Sequence, residues 1–128
     1  MGEIQPIVIN LKYITYQIGI FNGLLYICAM RIIAFRTLRE FWEKAEYADS
    51  ENSLRSWYYE AKNADWNNAN ELKEQYKNAS IVGEGNVVFN IKGNTYRLVA
   101  WIDYEYKVIF IRFIGTHKQY DKIDAKTI

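Results

Sequence analysis

The chain has 128 residues, a formal net charge of +1, one proline and one cysteine. That length suits one domain with a modest core, and a lone cysteine permits no intrachain disulfide, as expected of a cytoplasmic protein. With so little net charge, a nucleic-acid site has to come from local clustering.

Residues 1–29 come first. No charge occurs from Tyr13 to Met30, yet Thr15, Gln17, Gly19, Asn22 and Gly23 dilute the run, which is short and polar for a membrane span. A secretory signal is a second reading, because Lys12 precedes an apolar stretch ending in small residues. The preferred reading is an extension outside the fold, poorly ordered or loosely packed, with Met30 as the natural start. The pattern of a complete small domain, residues 30–128, begins there, and no membrane association is expected.

Met30 to Phe35 is a short β-type run, suited to a first strand. Thr37-Leu38-Arg39-Glu40 has capping-box spacing, and Leu38, Phe41, Trp42 and Ala45 follow at helical intervals, predicting a first helix. Leu54, Trp57, Tyr58 and Ala61 make the stripe of a second. Trp57 and Tyr58 as stacking platforms for bases is the functional reading of that stripe; core packing is the commoner one. Asn68 to Glu71 again has capping-box spacing, and a third helix through Leu72 and Tyr76 would display Lys73 and Lys77 at i,i+4. These lysines read as a solvated face beside Glu71 and Glu74, or as a phosphate-contacting strip. Ala79 to Val82 suits a short strand, with Gly83-Glu84-Gly85-Asn86 as a loop.

Val87 to Asp121 carries the strongest signal. Three β-branched and aromatic runs are separated by Lys92-Gly93-Asn94 and by Asp103-Tyr104-Glu105-Tyr106, the pattern of an antiparallel meander. Centring two-residue turns on Lys92-Gly93 and Tyr104-Glu105 sets Val88 opposite Arg97 and Arg97 opposite Arg112. One face then holds Val87, Phe89, Ile91, Tyr96, Leu98, Ala100, Ile102, Ile109, Ile111 and Phe113. The other holds Val88, Asn90, Thr95, Arg97, Val99, Trp101, Phe110, Arg112 and Ile114. Two facing arginines repel. They read either as solvated side chains tied to nearby carboxylates or as holders of an anion. Because helices precede strands, the expected fold is α+β: a small, mainly antiparallel sheet with two to three N-terminal helices on one face and an open second face.

Beyond the third run, Thr116 is a good N-cap, and one helical turn after it puts His117, Tyr120 and Asp121 on one side. This is the only histidine, and a cation, a phenol and a carboxylate near it are what proton transfer on a phosphate needs. The sequence offers no His-x-x-x-His, Cys-x-x-Cys or carboxylate cluster for a metal, and no phosphate-binding glycine loop or nucleophile elbow. No cofactor is expected.

The runs VVFNIKGNTYRLV and IRFIGTHKQYDKIDA, with MRIIAFRTLREFWEK, SLRSWYYEAKNADW and ELKEQYKNASIVG upstream, resemble the RelE-like HigB family of toxins from type II toxin-antitoxin systems. The similarity spans Met30 to Ile128 in order and spacing. It implies a RelE-like fold with RNA on a concave sheet and metal-independent endoribonuclease activity on mRNA, typically ribosome-bound, which inhibits translation. It also implies a cognate antitoxin as partner. By the same resemblance, Arg97 belongs at the scissile phosphate, Arg112 at it or the next one, and His117 in acid or base work. Tyr120 belongs in proton transfer or stacking, and Asp121 orients His117. Asn90 and Asn94 would meet sugar or base edges, with Lys118, Lys73 and Lys77 as further RNA contacts. Trp101, Tyr104 and Phe110 are candidate antitoxin contacts, or ordinary edge packing. Two alternatives stay open: a non-enzymatic RNA- or protein-binding module, and a gyrase-targeting toxin on a similar fold. Neither needs His117.

Overall fold

The computed structural model describes residues 17–21 and 24–128. Near its start, the backbone of β1 (Gln17–Phe21) pairs antiparallel with β2 (Leu24–Cys28) in a two-stranded sheet of its own. The intervening Asn22-Gly23 is a favoured dipeptide for two-residue hairpins, a signal that reading for hydropathy alone passes over. Residues 1–16, 22 and 23 lie outside the described residues, and so do the signal, span and extension readings that depend on them. Among the described residues, no helix is long and apolar enough to cross a membrane.

From Met30 the order is β3 (Arg31–Ile33), α1 (Phe35–Trp42), a 3-10 turn (Ala45–Ser50), α2 (Glu51–Asn63) and α3 (Ala69–Gln75). Then come β4 (Ser80–Val82), β5 (Asn86–Ile91), β6 (Tyr96–Asp103), β7 (Val108–Thr116) and the single turn α4 (His117–Tyr120). The main sheet runs β3-β7-β6-β5-β4. All its pairings are antiparallel except that of β3, which lies parallel to β7. This is the α+β arrangement expected from the order of helical and extended patterns.

The helices form because their apolar residues recur on one side, and that side covers the sheet. Leu38, Phe41 and Trp42 of α1, Leu54, Trp57 and Ala61 of α2 and Leu72 of α3 are all buried against it. Trp57 is 2% exposed and meets Phe89 edge-on at 5.3 Å, so it is core and no platform for bases. Tyr76 meets the same ring edge-on at 5.2 Å, which makes Phe89 the point where α2, α3 and the sheet meet. Phe89→Ala should cost about 3–5 kcal/mol. The Thr37 capping box is not used. The first helix starts at Phe35 with Ala34 as N-cap, so Thr37 lies inside it, while Glu40 pairs with Arg36 at 2.6 Å.

The meander is present, but its register differs from the expected one at both turns. Ile91 pairs with Tyr96, so the first loop has four residues, Lys92 to Thr95, and Arg97 faces Asn90, not Val88. Lys92 (φ 51°) and Gly93 (φ 62°) both take left-handed backbone there. Asp103 pairs with Val108 across a second four-residue loop, whose entry is shaped by Asp103 Oδ1 accepting from the N–H groups of Glu105 and Tyr106 at 3.1 and 3.0 Å. A bulge then intervenes. Ala100 pairs with Ile111 but Val99 with Phe113, leaving Arg112 as the extra residue and setting Arg97 opposite Gly115. The two arginines therefore do not face one another.

The bulge also exchanges the faces of the residues beyond it. Ile114 packs with the main core, whereas Phe113 moves to the second face. Nor is that face simply open. Ala125 packs on Val88 and Val99, with Phe113 and Tyr120 beside them, and Asn86 Nδ2 donates to the carbonyls of Ala125 at 2.8 Å and Ile128 at 3.3 Å. The C-terminal segment thus roofs the middle of the face expected to be bare.

Candidate active site

Arg97 sits on β6 with Asn90 and Gly115 as its cross-strand neighbours. It is 9% exposed. Its guanidinium donates to the carbonyl of Tyr96 and to Oδ1 of Asn94, both at 3.2 Å. Both acceptors are neutral. Among the described residues no carboxylate lies within ion-pair distance of it. A guanidinium carries five N–H donors, and leaving a buried cation without a counter-charge is costly. The arrangement leaves the guanidinium with donors that an anion is able to accept from.

His117 is brought next to it by the chain itself. Tyr96 pairs with Thr116, one residue from Arg97 and one from His117, and the His117 N–H donates to the Thr95 carbonyl at 3.2 Å. The same four-residue loop therefore holds Arg97 through Asn94 and the histidine turn through Thr95. Gly115 permits the approach: a Cβ there would lie 2.6 Å from Phe113 Cζ and 2.7 Å from Gln119 Oε1. Any larger residue would push the α4 turn away.

The turn itself is fixed by reciprocal capping. Thr116 Oγ1 accepts from the Gln119 N–H at 3.1 Å, and Gln119 Oε1 accepts from the Thr116 N–H at 2.9 Å. Gln119 Nε2 also donates to the hydroxyl of Tyr47 at 3.0 Å, and Tyr47 stacks on Phe41 at 4.4 Å. The α4 turn is tied in this way to the helical layer. Tyr47 and Gln119 were absent from the sequence reading, since nothing local signals a contact across 72 positions.

One turn of helix then sets His117 Nδ1 3.1 Å from Asp121 Oδ2, both side chains about half exposed. With a carboxylate as acceptor, Nδ1 is the donor, so in the neutral imidazole Nε2 is left with its lone pair for a substrate proton. Tyr120 is half-buried, its ring packed beside Phe113 in the second cluster. Lys118 is exposed on the turn and Asn90 is exposed on β5. Arg112 is exposed too, but its guanidinium lies 5.8 Å from the ring of Phe110, away from the Arg97 row. Lys73 and Lys77 are elsewhere. Their helix packs on the other face through Leu72 and ends at Gln75, so Lys77 is beyond it, and Lys73 Nζ donates to the Lys77 carbonyl at 2.9 Å.

Behind the site, Tyr96 donates its hydroxyl to Asp49, which also pairs with Lys92 at 2.6 Å. Burial and the adjacent carboxylate push the Tyr96 phenol up to about 12. Hydrogen bonds from Lys92 and Tyr96 hold Asp49 below its ordinary value. These pairings brace the loop that positions Asn94 and Thr95.

Residues 50–123 match the HigB toxin family, described as the RelE-like toxic component of a toxin-antitoxin system. The chain belongs to that family. It is also similar to a protein named mRNA interferase HigB from Escherichia coli O6:H1, with 28% identity over 96 residues that cover 73% of this chain and 91% of that relative. Arg97, Arg112, His117, Tyr120 and Asp121 all fall within the matched stretch of this HigB-family toxin.

Proposed function

We propose that this toxin is an endoribonuclease that cuts mRNA, on the ribosome and in the cytoplasm, and so halts translation until a cognate antitoxin neutralises it. The observation that carries the reading is the buried, carboxylate-free guanidinium of Arg97 held one strand pairing away from the His117–Asp121 dyad. The family's toxic role and the relative's name as an mRNA interferase support it.

RNA brings its own nucleophile, so the protein needs no metal for this chemistry. His117 Nε2 takes the proton of the ribose 2′-OH, and the 2′-oxygen attacks the adjacent phosphorus. Arg97 neutralises the phosphoryl oxygens as charge gathers on them. The P–O5′ bond breaks, leaving a 2′,3′-cyclic phosphate on one fragment. The departing 5′-oxygen takes a proton from the Tyr120 hydroxyl or from water. Asp121 keeps the imidazole in the right tautomer and stabilises it once charged. Asn94 aims Arg97, while Asn90 and Lys118 border the path of the RNA.

The experiment is to induce the full chain in cells and map message ends, beside Arg97→Ala and His117→Gln. Arrest with new 5′ ends in the parent and neither in the variants is expected. Arrest without cleavage would move the target to a protein such as gyrase, and cleavage retained by both variants would remove the site.

A further inference from the structure

The bulge in β7 leaves a strip of aromatic and cationic side chains that the cleavage chemistry does not use. Trp101 and Phe110 are directly opposite across β6 and β7, both half-buried, with ring centroids 5.8 Å apart at 34°. Arg112, pushed out as the extra residue, lays its guanidinium 5.8 Å from the Phe110 ring. The next residue, Phe113, folds over Gly115, the cross-strand neighbour of Arg97. Two features keep this side of the face clear. Ala125 covers the Val88 and Val99 side, and β3 ends opposite Phe110, so among the described residues no strand pairs with Ile111 to Thr116 on the edge of β7 away from β6. An aromatic and cationic track therefore runs along β7 from Phe110 to the histidine turn.

We propose that Trp101, Phe110 and Arg112 form a stacking platform for the base of a nucleotide flanking the cleaved bond. Arg112 then acts on that neighbouring nucleotide, and not at the scissile phosphate. The proposal rests on the endoribonuclease reading above. Trp101 lies four residues from Arg97 along one strand, roughly 13 Å, beyond the span of a single phosphate. Aromatic faces beside an arginine are what unpaired bases stack on, whatever their sequence, and the cation serves the attached phosphate. An aromatic and arginine surface would also suit a protein partner, and that occupant is the alternative the test below separates from RNA.

The molecule carries its own reporter. Trp42, Trp57 and Trp66 are 5%, 2% and 3% exposed, so Trp101 is the tryptophan that a bound base can reach. The probe is a short unstructured oligoribonucleotide, 2′-O-methylated to block cleavage, titrated into the full chain while tryptophan fluorescence is followed. Saturable quenching is expected, and its loss in Trp101→Phe would assign it. Phe110→Leu and Arg112→Gln should each weaken binding about tenfold. A probe abasic at the stacked position should lose about as much, with no further loss when it meets Phe110→Leu. Arg112 is exposed, so its variant carries the test should Phe110→Leu fail to fold. No quenching, parent-like binding by a folded Arg112→Gln, or quenching by the antitoxin but not by RNA overturns the platform. If messages are still cut in cells in an Arg97- and His117-dependent way, such a result sinks only the platform; if they are not, the endoribonuclease reading falls as well.

Discussion

Lys107 and Arg97 are both buried cations, 5% and 9% exposed, and they are treated in opposite ways. Lys107 stands at the end of the second hairpin loop with all three of its donors satisfied. It meets Asp65 at 2.9 Å, the Trp66 carbonyl at 2.9 Å and Asn67 Oδ1 at 2.8 Å. It clamps the β6–β7 loop to the segment between α2 and α3. Arg97 has more donors, fewer partners and, among the described residues, no carboxylate. A buried charge neutralised by its own chain holds a fold together; one left without a counter-ion suits the anion-binding role proposed above for Arg97. The sequence marked Arg97 and passed over Lys107, yet only their surroundings separate the two roles.

The contrast can be broken by substitution. Arg97→Ala should lower message cleavage by roughly 10²- to 10³-fold, as expected for losing a donor to transition-state charge, with thermal stability not reduced. Cleavage rates and a melting curve on the same sample check it, and a large fall in Tm would make Arg97 a structural cation like Lys107. His117→Gln should cost about a hundredfold in the chemical step while RNA binding persists. Loss of binding alone would instead give the imidazole a positioning role.

Lys107→Met should do the reverse of Arg97→Ala. It orphans the Trp66 carbonyl and loses the clamp, at about 1–3 kcal/mol in a urea melt, with cleavage per folded molecule unchanged. The smallest effect concerns pH. The Tyr96 phenol is raised from 10.0 to about 12, so its stabilising contribution is full below pH 10 and is lost as pH rises through 12. Asp49 is lowered from 3.8, so its contribution is present above that value and fades as pH falls below it. Tyr96→Phe keeps the ring but removes the link, and should flatten Tm against pH at the alkaline end. An unchanged slope would detach Tyr96 from the bracing of the loop.

Much of the candidate site could be read in advance because its signals are local. Thr116 and Gln119 set a one-turn helix, and i,i+4 spacing alone brings Asp121 to His117. The helices of the first half were legible from apolar spacing, although the first starts before the box that was expected to cap it. Register was another matter. Turn composition shows that the chain reverses at Lys92 and Tyr104, but two- and four-residue loops share that composition, and the choice shifts every later partner. The bulge at Arg112 has no local signature, since no proline or glycine marks it. It separated the expected arginine pair, turned Phe113 over Gly115 and left Arg112 beside Phe110.

By itself, the sequence determined the α+β class, the helix stripes, the meander and the His117–Asp121 turn. Each follows from backbone geometry acting over a few residues. Tertiary structure alone decided which strand residues face one another, that the C-terminal segment covers the middle of the second face, that Tyr47 reaches Gln119, and that Lys107 is neutralised while Arg97 is not. Those outcomes depend on contacts between residues distant in the chain, where burial and counter-charges are set by the whole fold.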